Sequence, residues 1–151
     1  VASPDPGGVK RSQRWQEALA QRLARPIGFA MVDKRRSDDR VSGRFVAGEV
    51  EGATVLLLDD LIASGETMKR AAHALRHAGA REVIACAAHG LFVGAAAELL
   101  ADPTLAQVLV SDSVPRFRLP AVGVVSRKLR IVSAVPLLAQ AIRECRDSWS
   151  R

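Results

Sequence analysis

The chain has 151 residues, is 48% hydrophobic and 25% charged, and carries a formal net charge of +6 at pH 7. This length and mixture predict one domain with a real core, and they exclude a disordered tail, a collagen-like repeat and a coiled coil. No apolar run approaches the ~18 residues that a membrane span needs, so no span is expected. Because the basic excess suits a polyanionic partner but aromatic residues make up only 4%, small phosphates are favoured over nucleic acid.

Strand and helix patterns alternate along the chain. A cluster of Asp, Pro and Gly near the amino terminus predicts a strand end followed by a turn, and suggests that the chain was cut from something longer. Apolar residues recur every four positions from residue 9 to 24, which predicts an amphipathic helix. Further helices are predicted at about 66–78, 93–100 and 136–145, and strands at 27–32, 54–58, 83–88, 107–111 and ending at Ile131. This order predicts an α/β fold with a mainly parallel, about five-stranded sheet flanked by helices.

The segment that follows the strand at 54–58 is the strongest candidate for a binding site. Asp59 and Asp60 come first, and a turn of small residues then leads into the next helix. Backbone N–H groups in such a turn can approach a ligand closely, and the start of a helix favours an anion such as phosphate. Ser64 and Thr67 add hydroxyl donors. A structural interpretation stays open, in which Ser64 merely caps the helix and the acidic pair is a solvated strand end.

Other chemically active residue types carry weaker signals. Cys86 lies in an apolar run and is predicted to be a core thiol, and the two cysteines form no CxxC pair, which fits a cytoplasmic location. His89 ends a strand near the candidate site, where a structural role is the simpler expectation. His73 and His77 lie four residues apart on a helix without an evident third ligand, so we expect surface positions. Trp15 is expected in the core or at an interface.

The candidate segment resembles a known family. The run from 59 to 67, DDLIASGET, is similar to the phosphoribosyl diphosphate loop of type I phosphoribosyltransferase folds. More narrowly, motifs spread in family order over nearly the whole chain are similar to the carboxyl-terminal half of ribose-phosphate diphosphokinases (phosphoribosyl diphosphate synthetases). These motifs are SPDPGGVKR at 3–11, VDKRR at 32–36, GEVEG at 48–52, AHGLF at 88–92, SDSVP at 111–115 and VPLLAQAI at 135–142.

The resemblance implies a reaction and a role for each matching residue. Members of this family transfer diphosphate from ATP to the 1-hydroxyl of ribose 5-phosphate, which makes phosphoribosyl diphosphate for nucleotide biosynthesis. Asp59 and Asp60 would hold the ribose hydroxyls. Lys34 and Arg36 would be catalytic, in a mobile loop that closes over the phosphoryl group, and Asp5 would belong to an Mg²⁺ site. The residues that would cradle the 5-phosphate are Ala63, Ser64, Gly65, Glu66 and Thr67.

Simpler interpretations of two of these motifs stay open. Asp5 is also typical of a turn, and the basic run that contains Lys34 and Arg36 is also typical of a solvated surface. The family usually has Asp or a similar polar residue where Ala63 stands and a second Gly where Glu66 stands, and these differences predict either weaker binding of the 5-phosphate or a divergent paralogue.

The resemblance also implies a larger protein. The family's amino-terminal half carries much of the ATP site, so residues 1–151 are expected to form a single phosphoribosyltransferase-type domain, the carboxyl-terminal half of a two-domain protein, and to be inactive alone. A homo-oligomer is implied as well. Two other functions stay open: an independent phosphoribosyltransferase, and a non-catalytic protein, either a regulatory paralogue of the synthetase or a basic nucleic-acid binder.

Overall fold

One sheet organises the chain. The computed structural model describes residues 1–33, 45–119, 123 and 127–149. The strands in this part of the chain are β1 (Ala2–Ser3), β2 (Ala30–Asp33), β3 (Phe45–Ala47), β4 (Thr54–Ile62), β5 (Glu82–Gly90), β6 (Gln107–Ser111) and β7 (Leu129–Val132). They form a seven-stranded sheet in the order β3-β2-β1-β4-β5-β6-β7. Every neighbouring pair is parallel except β2 and β3, so the predicted α/β class is confirmed.

The predicted number of strands, about five, is wrong for a physical reason. The strand missed altogether is β3, with three residues, whereas β1, with two, was predicted only as a strand end before the amino-terminal turn. Neither is long enough to show a repeating apolar pattern. The strand β1 exists because it pairs with β2 on one side and β4 on the other, and β3 exists because it pairs antiparallel with β2. Tertiary pairing defines both strands.

The described helices connect the strands. They are α1 (Val9–Leu23), α2 (Glu66–His77), α3 (Ala96–Ala101) and α4 (Val135–Trp149), and a short 3₁₀ helix, Pro6–Gly8, precedes α1. The helix α1 carries the chain from β1 to β2, whereas α2 carries it from β4 to β5 in the opposite direction along the sheet. Because such crossovers are right-handed, these two helices lie on opposite faces. The direction of winding therefore reverses between β1 and β4, the position where open α/β sheets bind ligands.

The core lies between the sheet and the helices α2 and α3. Its largest fully buried side chains include Leu57, Val83, Val108, Met68, Leu75 and Leu99. The helix α4, in contrast, has no buried residue, and five of its large apolar side chains are more than half exposed: Val135, Leu137, Leu138, Ile142 and Trp149. Among the described helices, none combines the length and the apolarity that crossing a bilayer requires.

Asp102 is a buried carboxylate that follows α3 and joins three parts of the fold. It accepts hydrogen bonds from the amide and the hydroxyl of Thr104, and Nε2 of His73 on α2 lies 2.9 Å from its Oδ2. The Lys128 ammonium donates to its backbone carbonyl. Burial alone raises the pKa of Asp102, but the bonds from Thr104 and His73 outweigh it and lower that pKa to about 2. His73 therefore has a structural partner and is more than the surface residue that its spacing suggests.

Replacing Asp102 by Asn should lower the free energy of unfolding by about 1–3 kcal/mol at pH 7, because buried donors lose a charged acceptor. A carboxyl whose folded pKa lies below its unfolded value of 3.8 adds stability above that value and loses it as the pH falls toward the folded value. The difference between wild type and D102N, measured by urea unfolding, should therefore shrink between about pH 4 and about pH 2.

The matched control is Glu98→Gln, which removes an exposed carboxylate of α3 that lies 4.0 Å from Lys69. It should change stability by less than about 0.5 kcal/mol. Equal costs for E98Q and D102N at pH 7 would contradict the role given to Asp102.

Candidate functional site

The strand β4 extends past its predicted end and contains the acidic pair. Its pairing with β5 continues through Leu61 opposite His89 and Ile62 opposite Gly90. Asp59 and Asp60 are therefore strand residues, and the prediction that the strand stops at residue 58 is wrong. The sequence pattern did not predict this extension because two carboxylates interrupt the apolar run, although the backbone pairing with β5 continues past them.

The segment after β5 holds the turn that follows β4 through backbone hydrogen bonds. The carbonyl of Ile62 accepts hydrogen bonds from the amides of Leu91 and Phe92, and the carbonyl of Ala63 accepts one from Val93. These bonds satisfy the carbonyls before the turn, and the first turn of α2 leaves N–H groups without intrahelical acceptors. The geometry thus supports the prediction that backbone donors are available at this turn.

Gly65 makes the turn possible. It adopts φ +80° and ψ 0°, a left-handed conformation that residues with a side chain rarely adopt, and it is the N-cap of α2. A Cβ here would lie 2.5 Å from Cδ2 of Leu99. The structural interpretation required Ser64 to be the N-cap, and it is not. The Oγ of Ser64 lies 3.5 Å from the amide nitrogen of Glu66. Within the described residues, the N–H of Thr67 has no acceptor, as expected in the first turn of a helix.

The side chain of Glu66 does not enter the turn. Its carboxylate is 70% exposed and lies 3.2 Å from the guanidinium of Arg70, one helical turn further along α2. Arg70 also donates to the backbone carbonyl of Glu66 through Nε. The negative charge that stands beside the backbone amides at the start of α2 is therefore partly balanced. The spacing of four residues could have revealed this pair from the sequence.

The acidic pair of β4 shares one cation from α1. The Nη1 atom of Arg11 lies 3.0 Å from Oδ1 of Asp59 and 3.0 Å from Oδ1 of Asp60. The Asp60 amide also donates to Oδ1 of Asp59 at 2.9 Å. Partial burial raises the pKa of Asp59, the neighbouring Asp60 carboxyl adds to the rise, and the Asp60 amide and the Arg11 guanidinium oppose it. Arg11 was not a predicted site residue, because its partners are 48 positions away.

Asp5 lies at the carboxyl end of β1, on the other side of the reversal point from β4. Its Oδ1 accepts a hydrogen bond from the amide of Gly8 at 3.0 Å, which caps the 3₁₀ helix. Ser3 donates to its backbone carbonyl at 2.6 Å, and a Cβ on Gly8 would lie 2.7 Å from that hydroxyl. Asp5 therefore acts as a turn former, while its second carboxylate oxygen accepts no hydrogen bond from the described residues.

His89 and two serines form a hydrogen-bonded group at the same edge of the sheet. Nδ1 of His89 lies 2.7 Å from Oγ of Ser113, and Ser111 donates to the Ala88 carbonyl at 2.6 Å. The predicted structural role of His89 is thus consistent with its contacts. Nowhere in the described chain do three His, Cys, Asp or Glu residues cluster as metal ligands would.

A groove of about 320 Å³ runs beside the acidic pair on the α1 face of the sheet. Its residues include Arg11, Trp15, Asp59, Asp60, Cys86 and Leu109. Trp15 is half exposed in this groove, so of the two predicted places, core or interface, the core is excluded and the interface stays a prediction. Burial raises the pKa of the Cys86 thiol to about 11, as fits the unreactive core cysteine that was predicted.

The structure brings together part of the predicted site. Residues from the acidic pair through the start of α2 are contiguous with Arg11, and Asp5 follows the neighbouring strand β1. Lys34 and Arg36, the two predicted catalytic residues, lie outside the described residues.

Comparisons with known proteins agree with these features. The chain matches the model of the phosphoribosyl transferase domain over residues 3–103. It is 35% identical over 151 residues to ribose-phosphate pyrophosphokinase from Thermotoga maritima, with 99% of this chain and 44% of that protein covered. It is 40% identical over 152 residues to the protein of the same name from Haemophilus ducreyi, with 99% and 45% covered. The resemblance found in the motifs is confirmed.

A solved structure shows the same fold. The crystal structure of phosphoribosylpyrophosphate synthetase from Mycobacterium smegmatis superposes with a TM-score of 0.77 at 33% identity, and the match covers 97% of this chain and 44% of that one. The chain therefore spans less than half the length of these relatives.

Replacing Gly65 by Ala should destabilise the chain more than replacing Gly94 by Ala. Both glycines have positive φ, at +80° and +57°, so both variants carry the left-handed penalty of roughly 1–2 kcal/mol. Only at Gly65 would the new Cβ also meet a buried side chain, that of Leu99. We expect urea unfolding to show a further loss of about 1–3 kcal/mol for G65A. Equal losses in the two variants would contradict the close packing of this turn.

Proposed function

This chain belongs to the phosphoribosyl transferase domain family, and on that premise we propose that it is the ribose 5-phosphate-binding half of a ribose-phosphate diphosphokinase. The observation that carries the proposal is the order of features along β4 and α2. An acidic pair in a strand, a left-handed glycine turn and a helix start follow one another within nine residues, from 59 to 67, beside the reversal point of the sheet. The two relatives compared above are both ribose-phosphate pyrophosphokinases.

The start of α2 would bind the 5-phosphate. A phosphate has three acceptor oxygens and a negative charge, and the first turn of a helix offers N–H groups together with a positive dipole end. Here the hydroxyls of Ser64 and Thr67 stand in the same segment, and the carboxylate of Glu66 is paired with Arg70. The residues that would cradle the phosphate remain 63–67, with Glu66 contributing through its amide.

The acidic pair would bind the two ribose hydroxyls. Ionised carboxylates accept hydrogen bonds from hydroxyl groups, and such charge-assisted bonds are among the stronger ones. Asp60 lies three residues, and Asp59 four residues, before the first residue of the proposed phosphate-binding segment 63–67. One pentose ester can therefore contact both ends of this short segment, with its phosphate at the helix and its diol at the strand.

An Mg²⁺ site fits the residues in one limited way. Mg²⁺ usually takes one or two carboxylates together with substrate phosphates and water. Asp5 offers one carboxylate oxygen that is not used by the described chain, so it would hold the ion as a single protein ligand. When bound, Mg²⁺ supplies positive charge that neutralises the phosphate oxygens of ATP.

The proposed catalysis combines this domain with residues outside it. Phosphoryl transfer depends mainly on positioning and on compensating the charge spread over the oxygens. The acidic pair and the start of α2 would orient the 1-hydroxyl of the sugar. Lys34 and Arg36 would compensate the charge of the transferred group. ATP would bind mostly to a half that this chain does not include, so phosphoribosyl diphosphate would be made only by the longer protein, in the cytoplasm and as a homo-oligomer.

Calorimetry on the chain tests the binding site directly. We expect saturable binding of ribose 5-phosphate, weaker binding of inorganic phosphate and no measurable binding of ribose. Asp60→Asn should weaken ribose 5-phosphate by about tenfold, because a charge-assisted bond is worth roughly 1.5–3 kcal/mol, and should leave inorganic phosphate unchanged. Thr67→Val should weaken both ligands. Binding of a short DNA duplex with no binding of the sugar ester would favour the nucleic-acid alternative.

The pair on α2 supplies a second prediction. Glu66→Gln should tighten binding of inorganic phosphate and of ribose 5-phosphate by about two- to threefold, and Arg70→Gln should weaken both by a similar factor, since exposed charges near a helix start contribute about 0.3–1 kcal/mol. Both effects should shrink as salt is added. An E66Q variant with unchanged affinity at low salt would contradict the electrostatic role of Glu66.

Activity is tested on a longer protein that joins this chain to an amino-terminal half. We expect AMP to form from ATP only when ribose 5-phosphate and Mg²⁺ are both present. Release of diphosphate from phosphoribosyl diphosphate in the presence of a free base would instead identify a phosphoribosyltransferase. A folded longer protein that binds the sugar ester without either turnover would identify the non-catalytic alternative.

A further inference from the structure

We propose that Arg11 is a positioning residue that holds the carboxylates of Asp59 and Asp60 in the arrangement that receives the ribose diol. The inference rests on the proposed function of the same site. It assigns a role to a residue of α1, a helix that carries none of the predicted site residues.

The first support is geometric. One nitrogen of Arg11, Nη1, lies 3.0 Å from an oxygen of each carboxylate. Two neighbouring carboxylates repel each other, and a single shared cation draws one oxygen of each toward the same point. The remaining oxygen of each group is then oriented as a consequence. A diol needs two acceptors at a fixed separation, which this bridge supplies.

The second support is the place of Arg11 in the fold. The helix α1 begins directly after the 3₁₀ helix that Asp5 caps, and β1 and β4 are neighbours in the sheet. The Arg11 side chain therefore crosses the reversal point from the β1 side to β4. It joins the turn that contains the proposed Mg²⁺ ligand to the proposed sugar-binding acids.

The third support is the electrostatic surroundings of Asp59. The charged groups that act on it are Asp60, on its own strand, and Arg11, on α1. The neighbouring strand β1 contributes only Ala2 and Ser3. On β5 the titratable groups are Glu82, which pairs with Thr54 at the far end of β4, Cys86, a thiol whose pKa is raised to about 11, and His89, whose ring contacts Ser113. Among the described charged groups that act on Asp59, Arg11 is the cation, and its charge lowers the pKa of Asp59 in addition to the larger lowering by the Asp60 amide.

The experiment compares wild type with Arg11→Gln and Arg11→Lys. The control is Arg14→Gln, a change at an exposed arginine of the same helix. The carboxyl carbons of the acidic pair are followed by NMR in the free protein, with signals identified in D59N and D60N. Arg11→Gln should raise the titration midpoint of the pair by about one pH unit. Arg11→Lys, which keeps the positive charge, should leave the midpoint close to that of wild type, and Arg14→Gln should not change it.

Affinities for ribose 5-phosphate and inorganic phosphate are measured on the same proteins. Arg11→Gln should bind the sugar ester about tenfold more weakly at neutral pH and bind inorganic phosphate as wild type does, which separates positioning from a general loss of structure. As the pH falls, protonation removes the acceptors of the diol, so the affinity for the sugar ester should begin to fall at a higher pH in this variant than in wild type. Arg11→Lys should recover part of the affinity.

The outcomes separate the two proposals. If wild type binds the sugar ester and Arg11→Gln binds it equally well or more tightly, the positioning role is overturned while the proposed function stands. If wild type binds inorganic phosphate but not the sugar ester, both the diol site and the role of Arg11 within it are refuted. A shifted midpoint together with a selective loss of sugar affinity supports the inference.

Discussion

The candidate site depends on the turn at Gly65, where a strand becomes a helix within three residues. The carbonyls before the turn are bound by the amides of residues 91–93, and the turn itself packs against Leu99. The hydrogen bonds come from the segment between β5 and α3, and the packing comes from α3 itself. Because they fix the backbone in the absence of a ligand, the binding of an anion proposed for the start of α2 would cost little conformational entropy.

Charge is arranged in compensated pairs around that turn. On the side of the strand, Arg11 balances Asp59 and Asp60, and on the side of the helix, Arg70 balances Glu66. Bringing negative groups close to an anion site is unfavourable unless a cation is near. Compensation of this kind explains how a carboxylate can occupy position 66 beside a proposed phosphate site, and it separates the acceptors proposed for the diol from the donors proposed for the phosphate.

Two regions of the surface expose large apolar side chains. The helix α4 exposes a row of large apolar side chains, and the groove beside the acidic pair is bounded by Trp15 and Leu109. Parallel sheets are normally covered on both faces. Since the chain spans less than half the length of its relatives, these exposed apolar regions are consistent with the proposal that it works as part of a larger assembly.

The sequence by itself determined the α/β class, the helix at 9–24, the strand at 107–111 and the order of strand, turn and helix at the candidate site. These features are local: they depend on apolar periodicity, on glycine and proline, and on motifs whose residues are adjacent in the chain. Gly65 and its neighbours could be predicted because a strand, a turn and a helix follow one another without interruption.

Tertiary structure alone decided the rest. The strands β1 and β3 exist through pairing with distant partners, and β4 extends to Ile62 because β5 continues beside it. Arg11 meets its acidic partners across 48 positions, a contact that no local pattern encodes. Short-range preferences can be predicted from neighbouring residues in the sequence. Contacts between distant segments form only when the sheet is assembled, because strand pairing rather than proximity along the chain brings those segments together.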